Sequence, residues 1–120
     1  MFETTMDRAR ELGRHLGQTP EYQALSRARQ RVSEDPGLTA LLNQLAELEV
    51  EVARALERGQ EPAAATAEAY EKAFSDLQGS SVYQSLIAAQ SNFDKVLARV
   101  NEEIGKGMEA ATQSRIILPS

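Results

Sequence analysis

The sequence predicts an all-α domain: about five helices with short connections in an antiparallel bundle, with two long helices as its spine. Three observations predict it. Ala, Leu, Glu, Gln and Arg dominate the chain, and all are good helix formers. The apolar residues recur at spacings of three and four, with no strand-like alternation. The seven glycines and four prolines mostly gather at a few spots, where they read as a helix stop followed at once by a start. The 120 residues suit one domain, long enough to bury a core without covalent staples.

The first helix is expected to start after Thr4 or Thr5. Met6, Ala9, Leu12 and Leu16 make one apolar stripe, and Gly17 is placed to end it in a left-handed conformation. In the stretch GQTPEYQAL, Thr19 is a good N-cap, Pro20 fits the first helical position and Glu21 complements the positive end of the helix dipole. This is a tight corner. Tyr22, Leu25, Ala28 and Val32 then give the second helix its buried face. Asp35 and Pro36 repeat the start signal for a third, long helix striped by Leu38, Leu41, Leu42, Leu45, Leu48, Val52 and Leu56, with Gly59 just past its end. A fourth helix follows GQEP and carries Ala65, Ala69 or Tyr70, Phe74 and Leu77, closed by Gly79.

Ser80 or Ser81 caps the fifth helix. Its apolar positions, Val82, Leu86, Ala89, Phe93, Val96, Val100 and Ile104, step by 4, 3, 4, 3, 4 and 4, close to a heptad seam. Gly105 and Gly107 are expected to loosen its end. Residues 1–106 are therefore read as a single helical domain and residues 107–120 as a flexible C-terminal tail. The third and fifth helices are the long ones, roughly 35 Å each. The coiled-coil spacing favours a homodimer, with Val82, Leu86, Phe93, Val96 and Val100 as the partner or dimer interface. The alternative is that this seam packs only against the third helix.

Composition bounds the function. The chain has no cysteine, which removes disulfides, zinc–thiolate sites and a cysteine nucleophile. The N-terminus MFETTMDRARE is not a secretory signal. No apolar run approaches the roughly 18 residues of a membrane span, so no membrane insertion is expected and the default location is cytoplasmic. The net charge of −5 does not favour general binding to a phosphate backbone.

Candidate chemistry is sparse. His15 is the only histidine and Glu11 sits one turn before it, but a bundle metal site needs such pairs from several helices. Glu47 and Glu51 share a face, as an exposed helix would place them, and Glu49 points elsewhere. No Walker loop, GxGxxG, GxSxG or HExxH is present. No catalytic residue, metal ligand or cofactor is therefore expected, and the chain is read as not an enzyme. Two features remain. Arg27 and Arg31 project together and, with Arg10 and Arg14, suggest a basic strip able to meet an acidic partner or RNA. No aromatic residues interleave them as a stacking platform needs. Ile116, Ile117 and Leu118 form an apolar triplet that either folds back onto the bundle or a twin subunit, or docks into another protein.

The segments LGRHLGQTPEYQAL, DPGLTALLNQL and YQSLIAAQSNFDKVLARVNEEI carry a resemblance. Across roughly residues 3–106 the chain is similar to the YlbF/YmcA family of small helical bacterial proteins. The corner with Glu21, Tyr22 and Leu25, then Asp35 before the long helix, is its specific part. The resemblance implies a helical, often dimeric cytosolic regulator acting through protein–protein contacts. Members in spore-forming bacteria form complexes with one another, affect competence, sporulation and biofilm formation, and act with the membrane-anchored ribonuclease Y on messenger RNA. Its implied partners are thus family paralogues or a ribonuclease complex. Iron–sulfur clusters held by cysteines are associated with some of those complexes, and this chain supplies no such ligand. Direct nucleic-acid binding through the arginine strip on the first two helices is the alternative function.

Overall fold

Capping chemistry sets most helix boundaries. The computed structural model describes residues 1–117, with side chains to 113. It contains α1 (Phe2–Gly17), α2 (Pro20–Ser33), α3 (Pro36–Glu57), α4 (Ala64–Gln78) and α5 (Ser81–Ile117). Among the described residues there is no strand. The Thr19 hydroxyl accepts from the Tyr22 N–H at 3.1 Å and the Asp35 carboxylate from the Leu38 N–H at 3.0 Å. The Ser80 hydroxyl accepts from the Tyr83 N–H at 3.1 Å. Each satisfies a donor that the first turn leaves orphaned. Replacing Asp35 with alanine is expected to cost about 1 kcal/mol, read as a shift of the urea midpoint with an unchanged slope.

Gly59 behaves as its position predicts. Its φ is +68°, the Gln60 N–H reaches the Ala55 carbonyl at 2.9 Å, and its own N–H reaches the Leu56 carbonyl at 3.0 Å. This double bond pattern is the Schellman closure, which a left-handed glycine permits. Gly17 departs from expectation. It is the last residue of α1, and Gln18 caps the helix in a right-handed conformation. Backbone and side chains together serve the last carbonyls, and the Gln18 and Thr19 N–H groups reach those of His15 and Leu16 at 3.1 and 3.2 Å. The Thr19 hydroxyl donates to the Leu16 carbonyl at 2.7 Å and the Gln23 amide to the Gly17 carbonyl at 2.8 Å. The end of α5 also differs. The helix passes through Gly105 and Gly107 and continues to Ile117. Two interior glycines cost roughly 1 kcal/mol each, less than is needed to break a helix already propagating over several turns.

Pairing of the helices places the core. α2 lies on the first half of α5, enclosing Leu25, Ala28, Ala89 and Phe93, with Leu16, Tyr22, Leu86 and Val96 around them. The Tyr22 and Phe93 rings meet edge to face at 5.2 Å. α3 lies on α4, enclosing Leu38, Leu45, Leu48, Ala73 and Leu77. Val82 and Tyr83, at the start of α5, pack against this second cluster. Each long helix thus takes a short one as its main partner, and two helical pairs meet at their corners. The result is elongated, 70 × 38 × 23 Å, with a radius of gyration of 21.8 Å. A compact chain of this length would have a radius of about 14 Å.

Candidate partner interface

Two segments extend beyond the packed pairs. α1 has no buried residue. Phe2 is 74% exposed and Met6 and Leu12 more than a third. Leu16 and Gly17, at the corner, are the only half-buried positions in the helix. The other segment is the distal part of α5. The 14 residues of α2 are about 21 Å long and the 37 residues of α5 about 55 Å, so α5 must outrun its partner. Its apolar stripe continues past the last contact through Val100, Ile104 and Met108. Ile104 is 45% and Met108 64% exposed.

The consequence is surplus surface. The chain exposes 9376 Å², whereas a compact monomer of 13.2 kDa exposes about 6,400 Å². The difference exceeds the roughly 800 Å² that one partner contributes to a standard interface.

The residues expected at an interface divide along this line. Phe93 is buried within the chain, and Val82 and Leu86 are half-buried against the two clusters. Val96 packs on the α2 side. Val100 stands at the boundary, lining a recess of about 490 Å³ with Glu21 and Arg99. The sequence pattern places Ile104 at the end of the seam, outside the expected interface set, and leaves Met108 unassigned. The signal was available in helix length, since a stripe longer than its neighbour leaves a bare end.

Arg27 and Arg31 flank a shallow recess of about 200 Å³ floored by Ala24, Ala28 and Ala89. Neither takes part in an ion pair among the described residues. α1 touches α2 only lightly, so Arg10 and Arg14 do not extend this pair into a continuous strip, and Arg10 is engaged by Asp7. Of the apolar triplet, Leu118 lies outside the described residues and Ile116 and Ile117 outside the described side chains.

Glu11 and His15 are exposed on α1, as are Glu47, Glu49 and Glu51 on α3. The Thr66 hydroxyl donates to Glu51 at 3.2 Å. Among the described residues no group of three or more histidine, aspartate or glutamate side chains converges, and no helix is long and apolar enough to cross a membrane.

A family described as control of competence regulator ComK, YlbF/YmcA, matches residues 5–109. The chain belongs to the YlbF/YmcA family. The match includes α1 from Thr5 onward and α5 as far as Glu109, so Met6, Ile104 and Met108 fall within the family region and Phe2 precedes it. Bacillus subtilis RicA, solved in complex with RicF, is similar in fold: TM-score 0.74 at 13% identity, covering 91% of this chain and 96% of that one. A protein of unknown function (DUF964) from Bacillus stearothermophilus is similar at TM-score 0.62 and 20% identity, with the same coverage. No curated protein sequence matches significantly. The all-α reading and the family resemblance both hold, and the family is one of regulators.

Proposed function

We propose that this YlbF/YmcA-family chain is a non-enzymatic adaptor that works by lending helix faces to protein partners, and that it pairs with a second copy or a family paralogue. α1 and the distal part of α5 form the face it uses. The carrying observation is the surplus of exposed surface, with Phe2, Met6, Ile104 and Met108 uncovered on it. Apolar area left in water costs roughly 25 cal/mol per Å², so a chain this extended gains by covering those stripes. The RicA structure supports the reading, since that relative in fold was solved with a protein partner. By resemblance, the processes served are competence, sporulation, biofilm formation and RNA processing in the cytoplasm, with a ribonuclease complex as a further partner.

Light scattering on the purified chain at micromolar concentration tests the pairing. A mass near twice 13.2 kDa is expected. A mass of one chain, unchanged on mixing with a family paralogue, would overturn it. Direct binding of nucleic acid is less favoured. The first 44 residues hold Arg8, Arg10, Arg14, Arg27, Arg29 and Arg31 against Glu3, Asp7, Glu11, Glu21, Glu34 and Asp35, so the arginine region carries no net positive charge.

A further inference from the structure

The net charge of this chain is not spread along it. Residues 1–44 balance, and so do residues 79–120, where Lys95, Arg99, Lys106 and Arg115 meet Asp94, Glu102, Glu103 and Glu109. The whole −5 lies in residues 45–78. There Glu47, Glu49, Glu51, Glu57, Glu61, Glu68, Glu71 and Asp76 face only Arg54, Arg58 and Lys72. This segment comprises the C-terminal part of α3, the connection after it and all of α4.

The same segment holds an open apolar groove. Past Leu48 on α3 and before Ala73 on α4 no residue is buried. The start of α4 is built from alanines, too small to cover what α3 presents. A groove of about 460 Å³ results, floored by Val52, Leu56, Pro62 and Tyr70 and walled by Glu49 and Glu71. Leu56 is 65% exposed, and Phe74, stacked on Tyr70 with centroids 6.3 Å apart, is 44% exposed. Arg54 and Arg58 line a separate recess with Glu51 and Glu61, so the groove's own lining carries acid alone.

We propose that this groove is a second docking site, separate from the α1 and α5 face, for a basic amphipathic helix of a protein partner. A floor of large apolar side chains between two helices takes the anchors that a helix presents at i, i+3, i+4 and i+7. Carboxylates on both walls select lysine or arginine beside those anchors, since complementary potential steers encounter and rejects acidic competitors. The same charge repels a nucleic-acid backbone and an anionic lipid surface. A second copy fits less well. Its exposed helix α1 balances Glu3, Asp7 and Glu11 against Arg8, Arg10 and Arg14.

Fluorescence anisotropy with a labelled model helix of leucine and lysine in amphipathic register tests this, with a leucine–glutamate helix of equal length as control. The full chain is expected to bind the lysine helix with micromolar Kd and the glutamate helix at least tenfold more weakly. E49K/E71K and Leu56→Asp should each weaken binding at least tenfold. Leu56 is 65% exposed, so its replacement should leave the fold intact, with an unchanged circular dichroism spectrum as the check. E102K/E103K, the same charge change on α5, should alter binding less than twofold. Equal loss from the two lysine pairs, indicating general attraction to acid, overturns the proposal, as does no binding. If Leu56→Asp halves the mass of the assembled chain, a second copy occupies the groove and the proposal fails.

Discussion

Replacing Leu25 with alanine is expected to lower the thermal midpoint by roughly 12 °C. Leu25 is 1% exposed, the largest fully buried side chain, and sits where α2 crosses α5 among Ala28, Ala89 and Phe93. Removing its branched end forfeits the transfer free energy of the lost methyl groups. It also leaves a cavity that two alanines cannot collapse to fill, and the combined cost is about 3 kcal/mol. At roughly 4 °C per kcal/mol for a domain of this size, the shift follows. The elongated shape sharpens the effect. The buried side chains are divided between two clusters, so the α2–α5 junction has no second layer behind it. Thermal denaturation followed at the helical dichroism band is the measurement. Ile87→Ala, at a position 46% exposed on α5, is the comparison and should move the midpoint little. Equal shifts in the two variants would show that the α2–α5 contact is not what holds the chain together.

What was legible in the sequence was local chemistry. Thr19-Pro20, Asp35-Pro36, Gly59 and Ser80 each mark a helix end because the residue itself supplies the missing hydrogen-bond partner or the required φ. All four stand where expected. Gly17 shows the limit of that reasoning: the helix closes with a right-handed Gln18, and backbone N–H groups together with the Thr19 and Gln23 side chains serve its last carbonyls. The pairing of helices was harder to read. A stripe reports that a helix has a neighbour, not which one. The near-heptad seam of α5 suits a twin or α3, and within the chain its first half lies on the short helix α2 rather than on α3. The continuation of the stripe to Met108 is hidden in the sequence because Gly105 and Gly107 read as a loosened helix end, whereas the turns on either side carry the helix through them. The acidic groove was visible only in part. The charge imbalance of residues 45–78 can be counted from the sequence. That alanines at the start of α4 leave Leu56 uncovered required the hairpin to be folded.

The second large effect is expected from replacing Ile104 and Met108 together with aspartate. In the lone chain Ile104 is 45% and Met108 64% exposed and neither is buried, so the helical dichroism should be retained. In the paired state the outcome reverses. A two-fold interface repeats each residue on both sides, so the double substitution places four carboxylates where four apolar side chains met. Each carboxylate must lose its water without gaining a cation, and an unpaired buried charge costs several kcal/mol. A loss of only about 2.7 kcal/mol already raises Kd a hundredfold, and that is the minimum expected. Light scattering should then give 13.2 kDa at concentrations where the unaltered chain gives twice that mass. Glu103 and Glu102 lie one and two residues before Ile104, off the apolar stripe, and neutralising them to glutamine should leave the mass unchanged. The comparison separates a seam from mere charge repulsion between two acidic chains. If the aspartate variant still pairs, the distal part of α5 is not the contact, and the surplus surface must be covered through α1 or the acidic groove.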